Sequence, residues 1–276
     1  MIGVFDSGFG GLSTVRELIK LFPQHDMLYL GDSARAPYGN RSKETVTKYT
    51  QEGVEFLFSQ GAKIVLIACN TASTDALRFL QQKYGDEKKV LGALIPAVEE
   101  ALEKTRYGNI GVVGTRGTIL AGNFEKEIHN RAPLLYHPTE KKALPVPQVF
   151  SVACPLLVPL IEEGWIKKPE TRMILKKYLL KLKSCHIDTL ILGCTHYPLL
   201  EKEFVKKMGK NCVIVNSGRS QAQKFEEYLK NHSEISETLS QNGIRQFFTT
   251  DSPERFAELG SQFLGQKMGK VEKVEF

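Results

Sequence analysis

No stretch of this sequence approaches the roughly 18 consecutive apolar residues that a membrane-spanning helix requires. The opening residues, MIGVFDSGFGG, reach Asp6 without a basic segment ahead of them, which argues against a secretory signal. A cytoplasmic protein with no membrane partner is the expectation. Cysteines number only five, at 69, 154, 185, 194 and 212, and none form a C-x-x-C pair. An odd count at wide spacing argues against a disulfide framework. Basic blocks interleaved with aromatics are also missing. The formal net charge is +6, but Lys and Arg are mixed with Asp and Glu, as in EKEFVKKMGK, so no nucleic-acid partner is expected. No P-loop occurs. The dinucleotide fingerprint G-x-G-x-x-G is incomplete, because after Gly8 and Gly10 its third glycine is replaced by Ser13.

What is present is a globular chain. Its 276 residues are 42% hydrophobic and 25% charged, enough for a large core and too apolar for disorder. Short apolar runs alternate with amphipathic stretches. IGVF, DMLYLG, KIVLIACNT and VLGALIP read as strands of a first series. NIGVVG, QVFSVACP and DTLILGCTH read as a second series, with CVIVNSG and IRQFFTTDSP following. Helical stretches lie between them. In STDALRFLQQKYG, Ser73 is placed to cap a helix and Gly85 to end it. Alternation of this kind implies parallel sheets covered by helices on both faces. The expected fold is α/β: two similar αβα domains facing a central cleft. Crossings near Pro96 and Gly209 give a discontinuous first domain, 1–95 with 210–276, and a second domain, 96–209.

In parallel sheets, ligands gather where strands end. The residues at those ends are Asp6 and Ser7; Asp32 and Ser33, with Tyr38, Gly39 and Asn40 just beyond; Cys69, Asn70 and Thr71; Thr115 and Thr118; and Cys194, Thr195 and His196. Cys69 and Cys194 hold matching places. Each closes an apolar strand after a small residue and precedes polar residues and a helix start, where a thiolate is favoured. Cys154, Cys185 and Cys212 lack that setting and read as packing or surface residues. Two matched thiols suit inversion of a carbon centre by proton transfer, one removing a proton from one face and the other delivering one to the opposite face. Rival readings are a nucleotide-binding α/β protein, weakened by the fingerprint departure; a zinc site from Cys69, Cys194, His196 and Asp6, for which Cys194-x-His196 is an unusual ligand spacing; and a non-catalytic binding protein.

At these residues the sequence resembles the glutamate racemases of the cofactor-independent aspartate/glutamate racemase superfamily. The resemblance rests on DSGFGGL at 6–12, GDSARAPYG at 31–39, ACNTAS at 68–73, GTRGTI at 114–119, PLLVPLIEEG at 155–164 and GCTHYPL at 193–199. It implies an isomerase that interconverts L- and D-glutamate with no cofactor and no metal. Such an enzyme supplies D-glutamate for peptidoglycan, and so serves cell-wall biogenesis and cell shape. It implies Cys69 and Cys194 as the catalytic pair, with Cys69 taking the α-proton of D-glutamate and Cys194 that of L-glutamate. Asp6 and His196 would assist, with Asp32 and Glu162 behind them. Asp6, Ser7, Tyr38, Gly39, Asn70, Thr71, Thr118, Thr195 and His196 match substrate-holding positions. Another amino acid, such as aspartate, stays open as the substrate. The oligomeric state is not set, and a homodimer is left open.

Overall fold

The computed structural model describes residues 1–85, 87–137 and 144–276. These divide into two compact units, Met1–Ala93 with Gly218–Phe276, and Leu94–Ser217. The first unit holds β1 (Ile2–Asp6), β2 (Met27–Gly31), β3 (Ile64–Ile67), β4 (Lys89–Gly92), β9 (Arg245–Thr249) and β10 (Val271–Lys273), in the order β10-β9-β2-β1-β3-β4. The second holds β5 (Asn109–Gly114), β6 (Gln148–Ala153), β7 (Thr189–Gly193) and β8 (Val213–Asn216), in the order β6-β5-β7-β8. Every pairing in both sheets is parallel.

The inner strands explain the sequence pattern. β1, β3 and β7 are buried along their whole lengths. A parallel strand covered by helices on both faces must be apolar throughout, rather than alternating. The helices supply the cover. Leu12–Leu21 turns Leu12, Val15 and Leu18 inward. Pro169–Ser184 buries Thr171, Leu175, Leu179 and Leu182, and its proline stands in the first turn, where no backbone donor is missed. Ser42 caps the helix Lys43–Ser59 by accepting from the Thr45 N–H at 3.3 Å, and Ser252 does the same for Pro253–Leu264 through Arg255 N–H.

Three details differ from the pattern reading. The strand expected in VLGALIP stops at Gly92, and Leu94–Lys104 is a helix. Pro96 is its third residue, within the first turn, where helical N–H groups have no intrahelical acceptor and a proline costs nothing. The chain therefore leaves the first unit after Ala93. The return also comes later than Gly209: β8 pairs with β7, register Leu190 to Ile214, and belongs to the second sheet. Periodicity identifies a strand but not the sheet it joins. Finally, the helix following β3 begins at Asn70, with Cys69 as its N-cap residue, so Ser73 lies inside it rather than capping it.

Candidate active site

In the first unit, β1 delivers Asp6 fully buried at its carboxyl end. The Gly8 N–H donates to Asp6 Oδ2 at 3.0 Å, and the Gly8 carbonyl accepts from the Tyr29 hydroxyl at 2.8 Å. Gly11 completes the turn. A Cβ there would stand 2.5 Å from Asp6 Cβ and 2.9 Å from the Tyr29 hydroxyl oxygen, so only glycine lets the chain pass. Burial, and then the nearby charges of Asp6 and Cys69, push the Tyr29 phenol well above its ordinary range, which keeps it a neutral donor.

Cys69 follows β3 and is 5% exposed. Its Sγ–H donates to Ser7 Oγ at 3.4 Å, across the ends of the paired strands β1 and β3. Asn70 and Thr71, both buried, open the helix Asn70–Asp75 next to it. Asp32 follows β2, the strand beside β1, and has no solvent exposure. Its Oδ2 accepts from the Tyr38 hydroxyl and from Arg35 Nε at 2.7 Å, and its Oδ1 from the Thr250 hydroxyl at 2.8 Å. Burial and the Asp32 carboxylate raise the Tyr38 phenol far above its usual range, with Cys69 adding to the shift. The Tyr38 ring packs in the same core cluster as Cys69, and Gly39 is buried beside it in the turn Tyr38–Asn40. Arg35 is held in turn by Glu52 and lies over the rings of Tyr49, at 4.1 Å, and Phe276.

In the second unit, Cys194 follows β7 and is also 5% exposed. Its setting differs from that of Cys69. No α-helix starts at Cys194; a short 3₁₀ turn, Tyr197–Leu200, intervenes before the helix Glu201–Met208. The expected helix start is replaced by an imidazole. His196 Nδ1 lies 3.9 Å from Cys194 Sγ, a long sulfur contact, and His196 Nε2 lies 2.9 Å from Glu162 Oε1. Burial works to lower the His196 pKa, but hydrogen bonding to Cys194 and Glu162 and their charges outweigh it, and the imidazolium pKa is pushed up to about 10. Its two acidic neighbours thus favour the protonated form of His196, whose Nδ1 faces the Cys194 sulfur. Thr118, 1% exposed, reaches the same strand end: its Cγ2 lies 3.2 Å from where a Cβ on Gly114 would stand, and Gly193 O flanks that point at the same distance. Thr115 accepts from the Thr118 N–H at 3.3 Å and so caps that turn. Thr195, 5% exposed, lies between Cys194 and His196.

The expected residues thus form two groups. Asp6, Ser7, Asn70, Thr71 and Cys69 share the strand ends of the first unit, with Asp32, Tyr38 and Gly39 alongside. Cys194, Thr195, His196, Glu162 and Thr118 share those of the second. All five cysteines are free thiols. Burial and then the neighbouring Cys194 raise the Cys154 thiol, and burial raises Cys212 to about 12, so both are inert at neutral pH. Cys185 is partly exposed. Pattern reading missed Tyr29, Arg35 and Thr250. Tyr29 could have been noticed as the one hydroxyl inside the buried run MLYLG, whereas Thr250 meets Asp32 only through the pairing of β2 with β9.

Two parallel α/β units, each with a buried thiol at the end of an inner strand, define the class of protein. The chain belongs to the Asp/Glu/Hydantoin racemase family, whose family model matches residues 3–224. It is 40% identical over 273 residues to the glutamate racemase of Geobacter metallireducens, covering 99% of this chain and 96% of that one. Among solved structures it is similar to glutamate racemase isoform RacE1 from Bacillus anthracis, at 36% identity and a TM-score of 0.88, covering 100% of this chain and 97% of that chain. It is also similar to the glutamate racemase of Francisella tularensis solved in complex with D-glutamate, at 31% identity and a TM-score of 0.86, covering 99% and 97%. Among the described residues, no helix is long and apolar enough to cross a membrane.

Proposed function

We propose that this chain interconverts L- and D-glutamate by a two-base proton transfer and supplies D-glutamate for peptidoglycan. The observation that carries the reading is the pair of buried thiols, each with its own polar partner: Cys69 with Ser7, and Cys194 with the His196–Glu162 dyad. Cys69 takes the α-proton of D-glutamate while Cys194 protonates the opposite face of the carbon; with L-glutamate the roles reverse. When Cys194 becomes a thiolate, its charge favours the protonated His196 ring, and Glu162 favours the same form from the opposite ring nitrogen. On the Cys69 side, Asp6 assists, and Asp32 acts one step removed by fixing Tyr38.

The α-proton of an amino acid is a very weak acid, so its removal requires preorganised hydrogen bonds to the developing carbanion and exclusion of water. The hydroxyls and backbone N–H groups of Ser7, Asn70, Thr71, Thr118 and Thr195 suit the two carboxylates of glutamate. Asp6 suits its ammonium.

The test is circular dichroism of purified, reduced protein incubated separately with L-glutamate and D-glutamate. Both signals should decay to zero, because enantiomers have equal free energies in water. A folded, reduced protein that changes neither would end this reading. L-aspartate alongside should stay optically active; its racemisation at a matching rate would replace glutamate as the substrate.

A further inference from the structure

The backbone that carries Cys69 is held by two side chains that the mechanism above does not use. Where β3 and β4 run side by side, Ile67 is in register with Gly92. Beyond that pair the ladder does not close directly. The Ser73 hydroxyl is inserted into it, accepting from the Ala93 N–H at 3.0 Å and donating its proton to the Ile67 carbonyl at 3.0 Å. Gly92 makes room for it, since a Cβ there would stand 2.9 Å from Ser73 Oγ and 2.6 Å from Leu77 Cδ2. The Ser73 N–H meanwhile donates to the Cys69 carbonyl at 2.8 Å. Ser73 therefore holds the chain both at Ile67 and at the thiol residue itself.

The Ile67 carbonyl receives a second donor, Gln221 Nε2 at 3.1 Å. Gln221 is 1% exposed and lies on the helix Ser217–Asn231. Gln221 and the second partner of Ser73, Ala93, both lie close to where the chain crosses between units. Ala93, bonded through Ser73, is the last residue before the chain passes into the second unit, and Gln221 follows shortly after its return at Gly218. Both crossings are thus tied to one carbonyl, two residues before Cys69. A carbonyl oxygen has two lone pairs, so the two donors occupy both and together fix its direction.

We propose that Ser73 and Gln221 are positioning residues for Cys69, holding the Ile67 carbonyl so that the thiol keeps its place at the strand end, with Ser73 tied to Ala93 at one crossing and Gln221 standing just after the other. The proposal rests on the reading of Cys69 as an acid/base of the reaction. A base displaced by a fraction of an ångström still binds substrate but transfers protons poorly. Loss of either clamp therefore falls on turnover and not on binding.

The experiment compares Ser73→Ala, Gln221→Met and Cys69→Ser with the unaltered protein. Each clamp variant should lose about tenfold or more in kcat, with KM within about twofold. A second readout separates position from general loosening: alkylation by iodoacetamide, followed thiol by thiol by mass spectrometry. The ratio of the Cys69 rate to the Cys194 rate should change by about threefold or more. If Cys69, Cys154, Cys194 and Cys212 all alkylate faster together, the side chains serve stability alone and the proposal is overturned. Wild-type kcat in both clamp variants, with Cys69→Ser dead, also overturns it while leaving the role of Cys69 standing. Wild-type turnover in Cys69→Ser overturns the underlying reading instead. Gln221→Met leaves the Ser73 bridge in place, so it carries the test should Ser73→Ala fail to fold.

Discussion

His196 Nε2 stands 2.9 Å from Glu162 Oε1 while the opposite ring nitrogen faces Cys194 Sγ at 3.9 Å, so one imidazole links a carboxylate to a thiol. The arrangement accounts for a histidine whose protonated form is favoured in a buried place. Isolated burial would have favoured the neutral ring, and the two acidic neighbours reverse that preference.

This linkage makes stability depend on pH with a definite sign. The His196 pKa is raised to about 10 in the folded chain, against an ordinary value near 6.5 when unfolded. Its stabilisation is therefore complete below about pH 6.5 and is lost as pH rises through about 10, because the folded state binds the extra proton only in that window. Urea midpoints measured from pH 6 to pH 10.5 should decline across the window. Glu162→Gln should flatten the decline and move the alkaline limb of kcat to lower pH. An unchanged alkaline limb in that variant would separate Glu162 from His196.

Tyr38→Phe removes one donor from a carboxylate that has no exposure to water. Asp32 keeps Arg35 and Thr250, so the fold should survive. The expected cost is about 1–3 kcal/mol, the usual range for a buried group deprived of a partner. Urea unfolding reads it directly, and a midpoint equal to that of the unaltered protein would mean that the Tyr38–Asp32 bond contributes nothing.

Gly11→Ala should be worse for catalysis than for folding. The added Cβ meets Asp6 Cβ at 2.5 Å, so either the turn or Asp6 must move. A stability loss of about 1–3 kcal/mol is expected for such overpacking. Turnover measured well below the melting temperature should fall by far more than the unfolded fraction explains. Full turnover in the folded variant would show that the position of Asp6 does not matter.

Cysteine replacements divide the five thiols. Cys69→Ser and Cys194→Ser should each lower kcat by about 10²–10⁴-fold, the usual range for losing an acid/base group. Cys154→Ala, Cys185→Ala and Cys212→Ala should keep most of the activity, although Cys154 lies close enough to Cys194 for their charges to interact. Loss of activity in folded Cys154→Ala comparable to that of Cys194→Ser would point to a third working thiol.

Much of this was legible in the residues. β3 and β7 are apolar from end to end, so both the strands and the thiols that close them could be read from local pattern. The motif GCTHYPL marked His196, and PLLVPLIEEG marked Glu162, whose adjacent Glu163 is the more exposed of the two and is not the His196 partner. What could not be read was long-range pairing. Thr250 reaches Asp32 because β9 lies beside β2, and Gln221 reaches Ile67 because a helix returns from the other unit; neither has a local signature. Ser73 misled in a more instructive way. A serine near a helix start is normally a cap, but this one closes a sheet ladder, because the helix begins three residues earlier at Asn70.

The central claim, that two thiols each serve one face of the same carbon, is tested most directly by isotope placement. Racemisation is begun from pure L-glutamate in D₂O and stopped early, and the α-deuterium of each enantiomer is measured. Each thiol exchanges its own proton with solvent, so the D-glutamate formed should be almost fully labelled while the remaining L-glutamate carries far less. The mirror-image result should follow from D-glutamate. Equal labelling of product and remaining substrate at early times, from either starting enantiomer, would mean that a single base serves both faces, and it would contradict the account.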